Sequence, residues 1–557
     1  MKKLNIEIII NGHSLTLEEV ILAARGYEDG NGDHHYPVIT LSDDAKKTIG
    51  AKRTELEKRI EAGDVIYGVN TGCGINKGTI LPTEVIDDYQ RYYIPAHCVQ
   101  FGAYFPEEVV RATMILRVNS FATGYSAMRL ETCEKILEFY NQGIIPCVPE
   151  QGSVGSSGDL APLAHVAAAL TGLPDQRVYI SEGDPQTRLG PMPVLEALDK
   201  KGVKPIVLRA KEAMGLTNGA TFTLALGLLT IHDAERLFHF SDLAAALSLE
   251  AIRGEKAAFD PRLIGIRNHA GAVRTAKIIR NLIFGSKRMT QKAQNICLPA
   301  EEGIKKYDKQ GKPVPRVQDA YSFRAYPPVA GCAHDAFLYA KKAFVDEINA
   351  ATDNPLLFEK EDGPGFEALS GGNFHGEPLG QALDFLKIAL QQIANISDRR
   401  FYALTMPSTS YGLPANLGGQ TERDLNTGFM IQQYSTAAAV SENKILCHPS
   451  VVDSIPTSAN QEDYVSMSAT ASRHAARVLY NTRFVIASEI LAAAQGISLT
   501  EADLAKEDCA SLGEKTGRAY EIIRQQISAM DDDRMLCVDV DKMIELMEGD
   551  ELLSVTQ

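Results

Sequence analysis

A serine- and glycine-rich loop carries the residue types best suited to unusual chemistry: residues 152–162, GSVGSSGDLAP. Glycine reaches backbone conformations that other residues avoid, so the Gly158 nitrogen can fold back toward the carbonyl carbon of Ser156. Attack there, with loss of one water, closes a five-membered ring. Loss of the Ser157 hydroxyl as a second water then leaves an exocyclic methylidene. The product is a strong electrophile made only of protein.

The same residues also suit an ordinary helix start. The segment LAPLAHVAAAL at 160–170 has the composition of a helix, and Asp159 or Ser157 is of the type that caps a helix N-terminus. On the residues alone, capping is favoured over ring closure.

Five further loops concentrate polar residues and glycine. They are YGVNTGCG (67–74), GLTNGAT (215–221), RVQDAYSFR (316–324), SGGNFHGEP (370–378) and DSIPTSANQED (453–463). Any one polar loop is usually only a surface turn. Six of them, separated by segments with helical packing patterns, predict a site assembled from distant parts of the chain.

The segments that must position these loops are mostly helical in pattern. Leu379, Leu383, Leu386, Leu390 and Ile393 are spaced by 4, 3, 4 and 3 residues. This spacing predicts a helix that buries one stripe against neighbouring helices.

A second long helix is predicted from about Val465 to Gln495, where the chain is rich in alanine, with Gly496 as its C-cap. Pro456 is the last proline, so the remaining 101 residues lack the strongest helix breaker. These patterns indicate a bundle of long helices in the middle and C-terminal half of the chain.

The first 45 residues have a different, mixed character: NIEIII predicts a strand, Ser14–Glu18 a helix start, and EDGNGDHHYP a loop. We therefore expect a mainly α protein, with a long central helical bundle and a smaller N-terminal mixed α/β region that carries the serine-glycine loop. The predicted regions are 1–205 with the reactive loop, 206–500 as the central bundle and 501–557 as a C-terminal helical cap.

Charge and motif content exclude several classes of protein. The 71 acidic and 56 basic residues give a formal net charge of −15, which repels nucleic acid and anionic membranes. The twelve histidines lack the i, i+4 spacing of a helical metal site, and no HExxH, GxSxG or P-loop motif occurs. Nine scattered cysteines without a CxxC pair indicate reduced thiols. With no secretory signal and no uninterrupted apolar span, we expect a cytoplasmic protein without metal.

The loops, in this order, resemble those of the aromatic amino acid ammonia-lyases and aminomutases that build a 4-methylidene-imidazol-5-one (MIO) cofactor. The resemblance runs from about Leu15 to Val540 and is greatest to the histidine-specific members. It implies a fumarase/aspartase-like helical architecture and a homotetramer whose active sites draw loops from several subunits. It also implies that Ser156, Ser157 and Gly158 form the MIO ring, with no metal or dissociable cofactor. Ser156 departs from the alanine that is usual in the family.

The resemblance also assigns roles to single residues. Tyr67 matches the base that removes the β-proton, and Arg324 matches the residue that binds the substrate carboxylate, for which a planar guanidinium is well shaped. The polar groups that surround the ring and the substrate amine in the family are matched here by Asn218, Gln318 and Tyr321. The aromatic residue that packs near the ring is matched by Phe374. Taken singly, each of these residue types is more often structural, and the shared loop context favours function.

Two positions indicate which side chain the substrate carries. His97 lies where histidine-specific members carry histidine, and Glu462 matches the acidic residue that they use near the imidazole. Ala96, Cys73 and Tyr464 depart from the histidine-specific pattern, as does the Ala-Thr pair at 220–221.

The predicted reaction is elimination of ammonia from L-histidine to give trans-urocanate. The alternatives are a tyrosine or phenylalanine ammonia-lyase, a 2,3-aminomutase, and a non-catalytic helical scaffold in which the ring never forms.

Overall fold

The computed structural model describes residues 6–181, 187–419 and 425–557. It is mostly helical, which confirms the predicted mainly α fold class. The helices are Leu17–Arg25, Asp43–Glu61, Ile86–His97, Glu107–Ala122, Leu130–Asn141, Leu160–Leu170, Val194–Lys201, Glu212–Thr217, Thr221–Ile252, Pro261–Gly265, Ala270–Leu282, Gln291–Asn295, Tyr321–Arg324, Tyr326–Glu347, Glu377–Leu404, Pro407–Ser410, Met430–Leu446, Ser468–Ala505, Glu514–Gln526, Leu536–Glu548 and Asp550–Thr556.

The strands in the described part of the chain are short and form small sheets: one parallel pair, three antiparallel pairs and one three-stranded antiparallel sheet. They are Glu7–Ile10, Tyr27–Glu28, His34–His35, Val38–Leu41, Phe101–Tyr104, Ile144–Pro146, Pro149–Gln151, Arg177–Ile180, Leu189–Pro193, Leu356–Glu359 and Phe366–Leu369.

The chain divides into two compact units, each built from three separate stretches. The first comprises residues 1–230, 340–384 and 449–473, and the second comprises 231–339, 385–448 and 474–557. All the described strands belong to the first unit, while the described part of the second has helices and an isolated β-bridge between Tyr307 and Pro313.

The N-terminal region contains the predicted strand and helix start. Glu7–Ile10 alternates exposed and buried residues and pairs in parallel with Val38–Leu41. The first helix begins at Leu17 after a capping box. The Thr16 side chain accepts a hydrogen bond from the Glu19 backbone N–H, and the Glu19 side chain accepts one from the Thr16 backbone N–H.

The predicted leucine stripe is confirmed in the helix Glu377–Leu404, where all five stripe residues are buried. Burying one such side chain contributes about 1.5–3 kcal/mol, so the stripe is a major reason for the helix to form here.

The prediction that Gly496 ends a helix is wrong, because the helix Ser468–Ala505 continues through it. A Cβ at Gly496 would lie 2.9 Å from Leu413 Cδ1, so the glycine permits close packing within the second unit. Within the described residues this helix is also the one long and apolar enough to span a membrane. However, 83% of its most apolar window is buried in the protein, as in the core helix of a globular fold.

Candidate active site

A cavity of about 540 Å³ lies within the first unit and is bordered by five of the six polar loops. Six of the predicted site residues line it: Tyr67, His97, Ser157, Asn218, Phe374 and Glu462. The tertiary fold therefore brings together side chains that are almost 400 positions apart in sequence.

The serine-glycine loop connects the strand Pro149–Gln151 to the helix Leu160–Leu170. Gly158 has a φ of 76°, and a Cβ there would lie only 2.0 Å from the carbonyl carbon of Gly219. The two glycines form a β-bridge, and the Gly219 N–H donates to the Ser157 carbonyl at 3.0 Å. Only glycine fits at position 158, because any side chain would push the two backbones apart.

Asp159 occupies the N-cap position of the following helix, but its side chain does not cap it. The buried carboxylate instead accepts hydrogen bonds from the Ser153 hydroxyl at 2.8 Å and from the Thr223 backbone N–H at 2.8 Å. Burial raises the pKa of Asp159, and these donors partly oppose that shift. The capping interpretation is therefore wrong for Asp159, whose carboxylate connects the loop to the start of the Thr221–Ile252 helix.

Ser156 is also buried in this loop, and its hydroxyl donates to Glu462 Oε2 at 3.3 Å. The reactive triplet and the loop 453–463 are therefore in direct contact.

His97 is the last residue of the helix Ile86–His97. Its ring stacks on Tyr93, one helical turn earlier, and Nδ1 lies 2.7 Å from the Tyr93 carbonyl oxygen. Burial lowers the pKa of His97, while the Tyr93 carbonyl and the Glu462 carboxylate act in the opposite direction. A neutral ring that donates from Nδ1 keeps the Nε2 lone pair available as an acceptor.

Tyr67 is half-buried, and its hydroxyl accepts a hydrogen bond from the Gly74 N–H at 3.0 Å. Burial raises the pKa of Tyr67, and Cys73 and Glu462 raise it further, whereas the Gly74 N–H lowers it. The phenol is therefore protonated at neutral pH in this arrangement, and Gly74 is the donor placed to stabilise a phenolate.

Asn218 follows the helix Glu212–Thr217 and is 3% exposed. Its Oδ1 has no hydrogen-bond partner among the described residues, although the residue lines the cavity. A buried acceptor left unpaired costs about 1–3 kcal/mol, which is a reason to expect a donor from a bound group.

Three predicted residues, Gln318, Tyr321 and Arg324, belong to the second unit and do not line this cavity. Tyr321 is 72% exposed, and the Arg324 guanidinium lies 4.4 Å from the centre of its ring. Arg324 Nε also donates to the Asp319 carbonyl at 2.9 Å.

Two further aromatic residues that line the cavity, Tyr89 and Tyr93, were not predicted from the sequence. Tyr89 and Tyr93 precede His97 by eight and four residues, so all three lie on one face of their helix. That four-residue spacing was the signal that could have found them.

A buried cluster of charged residues close to the cavity loops was also not predicted from the sequence. Lys211 Nζ lies 2.8 Å from Asp353 Oδ2, and both side chains are almost fully buried. The guanidinium of Arg117 donates to the Gly215 carbonyl, and a Cβ at Gly219 would lie 2.7 Å from its Nη1. No sequence pattern reveals such a cluster, because charged residues are usually exposed.

Known proteins resemble this chain over nearly its whole length. Residues 15–525 match the family model described as "Aromatic amino acid lyase". A histidine ammonia-lyase of Alkaliphilus oremlandii (strain OhILAs) is 40% identical over 552 residues, which are 99% of this chain and 98% of that protein.

Two solved structures are similar in fold as well as in sequence. The histidine ammonia-lyase of Trypanosoma cruzi superposes with a TM-score of 0.83 at 33% identity, covering 99% of this chain and 95% of the other. The tyrosine aminomutase of Streptomyces globisporus superposes with a TM-score of 0.84 at 31% identity, covering 99% and 98%.

Proposed function

This chain belongs to the aromatic amino acid lyase family, and we propose that it eliminates ammonia from L-histidine to give trans-urocanate. It is a carbon–nitrogen lyase. The observation that carries the choice of substrate is that His97 and Glu462 line the same cavity as Ser157.

The residues of the serine-glycine loop fit an MIO group formed from Ser156, Ser157 and Gly158. The close backbone approach of Gly158 to Gly219 leaves no room for a side chain, so the glycine that ring closure requires is also the residue that the fold requires here. When formed, the ring supplies an uncharged electrophilic carbon at position 157, which no ordinary side chain provides. No metal or dissociable cofactor is part of this proposal.

His97 and Glu462 are suited to recognise an imidazole side chain. The neutral His97 ring offers Nε2 as an acceptor for one imidazole N–H, and the Glu462 carboxylate can accept the other and favour the protonated imidazole. A phenyl ring would leave both groups unpaired, at a cost of about 1–3 kcal/mol each.

Tyr67 is the proposed base for the β-proton of the substrate. Its hydroxyl lines the cavity, and the Gly74 N–H is placed to stabilise the phenolate that forms the base. Because burial and Glu462 both raise the pKa of Tyr67, the base requires a nearby positive charge or an alkaline pH to become populated.

Arg324, Gln318 and Tyr321 are proposed to act on the carboxylate and the amine of the substrate from a neighbouring subunit of a homotetramer. Tyr321 is 72% exposed in its own chain, which leaves it accessible to a neighbouring subunit. An arginine binds a carboxylate through two parallel hydrogen bonds and would also supply the positive charge that favours the Tyr67 phenolate. We place the enzyme in the cytoplasm.

The test is a steady-state comparison of L-histidine, L-tyrosine and L-phenylalanine on the purified protein, with identification of every product. Release of ammonia and trans-urocanate, with histidine preferred, is the expected result. A β-amino acid as main product would favour the aminomutase alternative, which the similarity to a tyrosine aminomutase keeps open. Absence of turnover, together with an intact mass equal to the sequence mass, would favour the scaffold alternative.

A further inference from the structure

The residue that departs from the family's usual alanine, Ser156, makes a specific contact with the substrate-recognition loop. It is 6% exposed, and its hydroxyl lies 3.3 Å from Glu462 Oε2, more than 300 residues away in sequence. A carboxylate can only accept, so the serine is the donor. Closure of the proposed ring uses the carbonyl of Ser156 and leaves this hydroxyl in place.

The backbone of the loop that carries Glu462 is held by its own residues. Thr457 N–H donates to the Glu462 carbonyl at 2.8 Å, and three successive residues between them, 458–460, have positive φ angles of 48°, 51° and 64°. These contacts determine the path of the backbone, but they leave the direction of the glutamate side chain open.

The Glu462 carboxylate receives two hydrogen bonds in the described part of the chain, both on Oε2. One comes from Ser156 at 3.3 Å. The other comes from Thr457 at 3.4 Å, whose single hydroxyl proton is shared with the Glu462 backbone carbonyl oxygen at 3.2 Å. Oε1 remains available and lies on the side of Gly74, whose N–H binds the Tyr67 hydroxyl. The Ser156 hydroxyl is therefore the donor that holds Oε2 and leaves Oε1 facing the cavity.

We propose that the Ser156 hydroxyl is a positioning group for Glu462, holding one carboxylate oxygen so that the other meets the imidazole of the substrate. This inference rests on the proposed histidine activity.

The test is a double-mutant cycle of Ser156→Ala and Glu462→Gln, with Ser156→Thr as the variant that retains a hydroxyl. Ser156→Ala should raise the KM for L-histidine about three- to tenfold, the effect of one ordinary hydrogen bond, and change kcat less. Ser156→Thr, which retains the hydroxyl, should restore the wild-type KM. The mass deficit of two waters should persist, which separates positioning from ring formation.

In the Glu462→Gln background, Ser156→Ala should have little further effect on KM. The matched control is Ser153→Ala, which removes a hydroxyl from the same loop that binds Asp159 instead, so its effect should add to that of Glu462→Gln. An unchanged KM in Ser156→Ala, an equal effect in both backgrounds, or loss of the mass deficit would each overturn the inference.

Failure of the proposed function is distinguishable from failure of this inference. If wild type does not turn over L-histidine, the proposed function is wrong. The same cycle is then measured by thermal unfolding, and on the amino acid that the enzyme does accept. Additive unfolding effects would show that the Ser156–Glu462 contact is absent, and strong coupling with no change in KM would show that it does not position a substrate-binding group.

Discussion

The His97 ring stacks on the Tyr93 ring with 3.9 Å between centroids, while its Nδ1 donates to the backbone carbonyl of the same tyrosine. One residue thus determines both the plane of the imidazole and its tautomer. This arrangement leaves Nε2 as the acceptor, which is the basis of the first prediction.

Replacing His97 by leucine should lower kcat/KM for L-histidine by about 10- to 100-fold, because the substrate N–H loses its acceptor. The same change should raise turnover of L-phenylalanine, since the unpaired polar group is removed. His97→Gln, which retains an acceptor, is the control and should keep the preference for histidine. Equal losses on all three aromatic amino acids would contradict the proposed role of His97.

Ser157→Ala should abolish turnover and leave the fold intact. The hydrogen bond from Gly219 uses the Ser157 carbonyl, which the variant retains, whereas a methyl group cannot become a methylidene. Intact mass spectrometry should show that the deficit of two waters seen in wild type is lost. Normal turnover by this variant would exclude an MIO group at this position.

Gly219→Ala should prevent ring formation as well as destabilise the protein. Its φ is 120°, and a Cβ would lie 2.7 Å from Arg117 Nη1 and 3.0 Å from the Thr352 carbonyl oxygen. Gly202→Ala is the matched control, because that glycine also has positive φ but no atom lies within 4 Å of the added Cβ. It should cost only about 1 kcal/mol of backbone strain. A full mass deficit and normal activity in Gly219→Ala would show that the contact with Gly158 is dispensable.

The raised pKa of Tyr67 predicts a rate that increases with pH. The phenolate is the base, so kcat/KM should rise from pH 7 toward alkaline pH as its population grows. Tyr67→Phe should remove this limb and reduce kcat by about 10²–10⁴-fold, the usual contribution of a general base. A pH profile that is unchanged in Tyr67→Phe would assign the base to another residue.

Asp242 should make the stability of the protein depend on pH. It is buried and accepts a hydrogen bond from the Tyr326 hydroxyl at 2.8 Å. Burial raises its pKa to about 6 from the usual 3.8, although Tyr326, Arg274 and Arg400 oppose the shift. Between pH 3.8 and pH 6, Asp242 keeps its proton in the folded protein but has mostly lost it in the unfolded chain. The free energy of unfolding therefore falls as the pH rises through this range.

Asp242→Asn should therefore gain in melting temperature relative to wild type between pH 5 and pH 7. The control is Asp260→Asn, because Arg262 lowers the pKa of Asp260 to about 2 and that group does not titrate in this range. A constant difference between Asp242→Asn and wild type across the range would show that Asp242 keeps its charge when folded.

Local sequence patterns were sufficient to predict the mainly helical fold class and the buried leucine stripe of the helix Glu377–Leu404. Local pattern also showed that the serine-glycine loop can cyclise, because Ser157 and Gly158 supply the hydroxyl and the free backbone nitrogen that the ring needs, but on the residues alone helix capping was favoured, and the order of all six loops was needed to reverse that preference. It failed at Gly496, a residue type that usually ends a helix, because here the glycine lies inside a helix and permits close packing against Leu413, a contact that no local pattern contains.

The sequence alone therefore determined which residue types are available: a cyclisable triplet, two side chains suited to an imidazole, and helices to hold them. The tertiary structure decided which of them meet. It brought Ser156 into contact with Glu462, and it made Asp159 a buried acceptor for Ser153 and Thr223 instead of a helix cap. The reason is physical: residue type and spacing encode short-range preferences, whereas a contact between distant residues depends on how all the helices pack together.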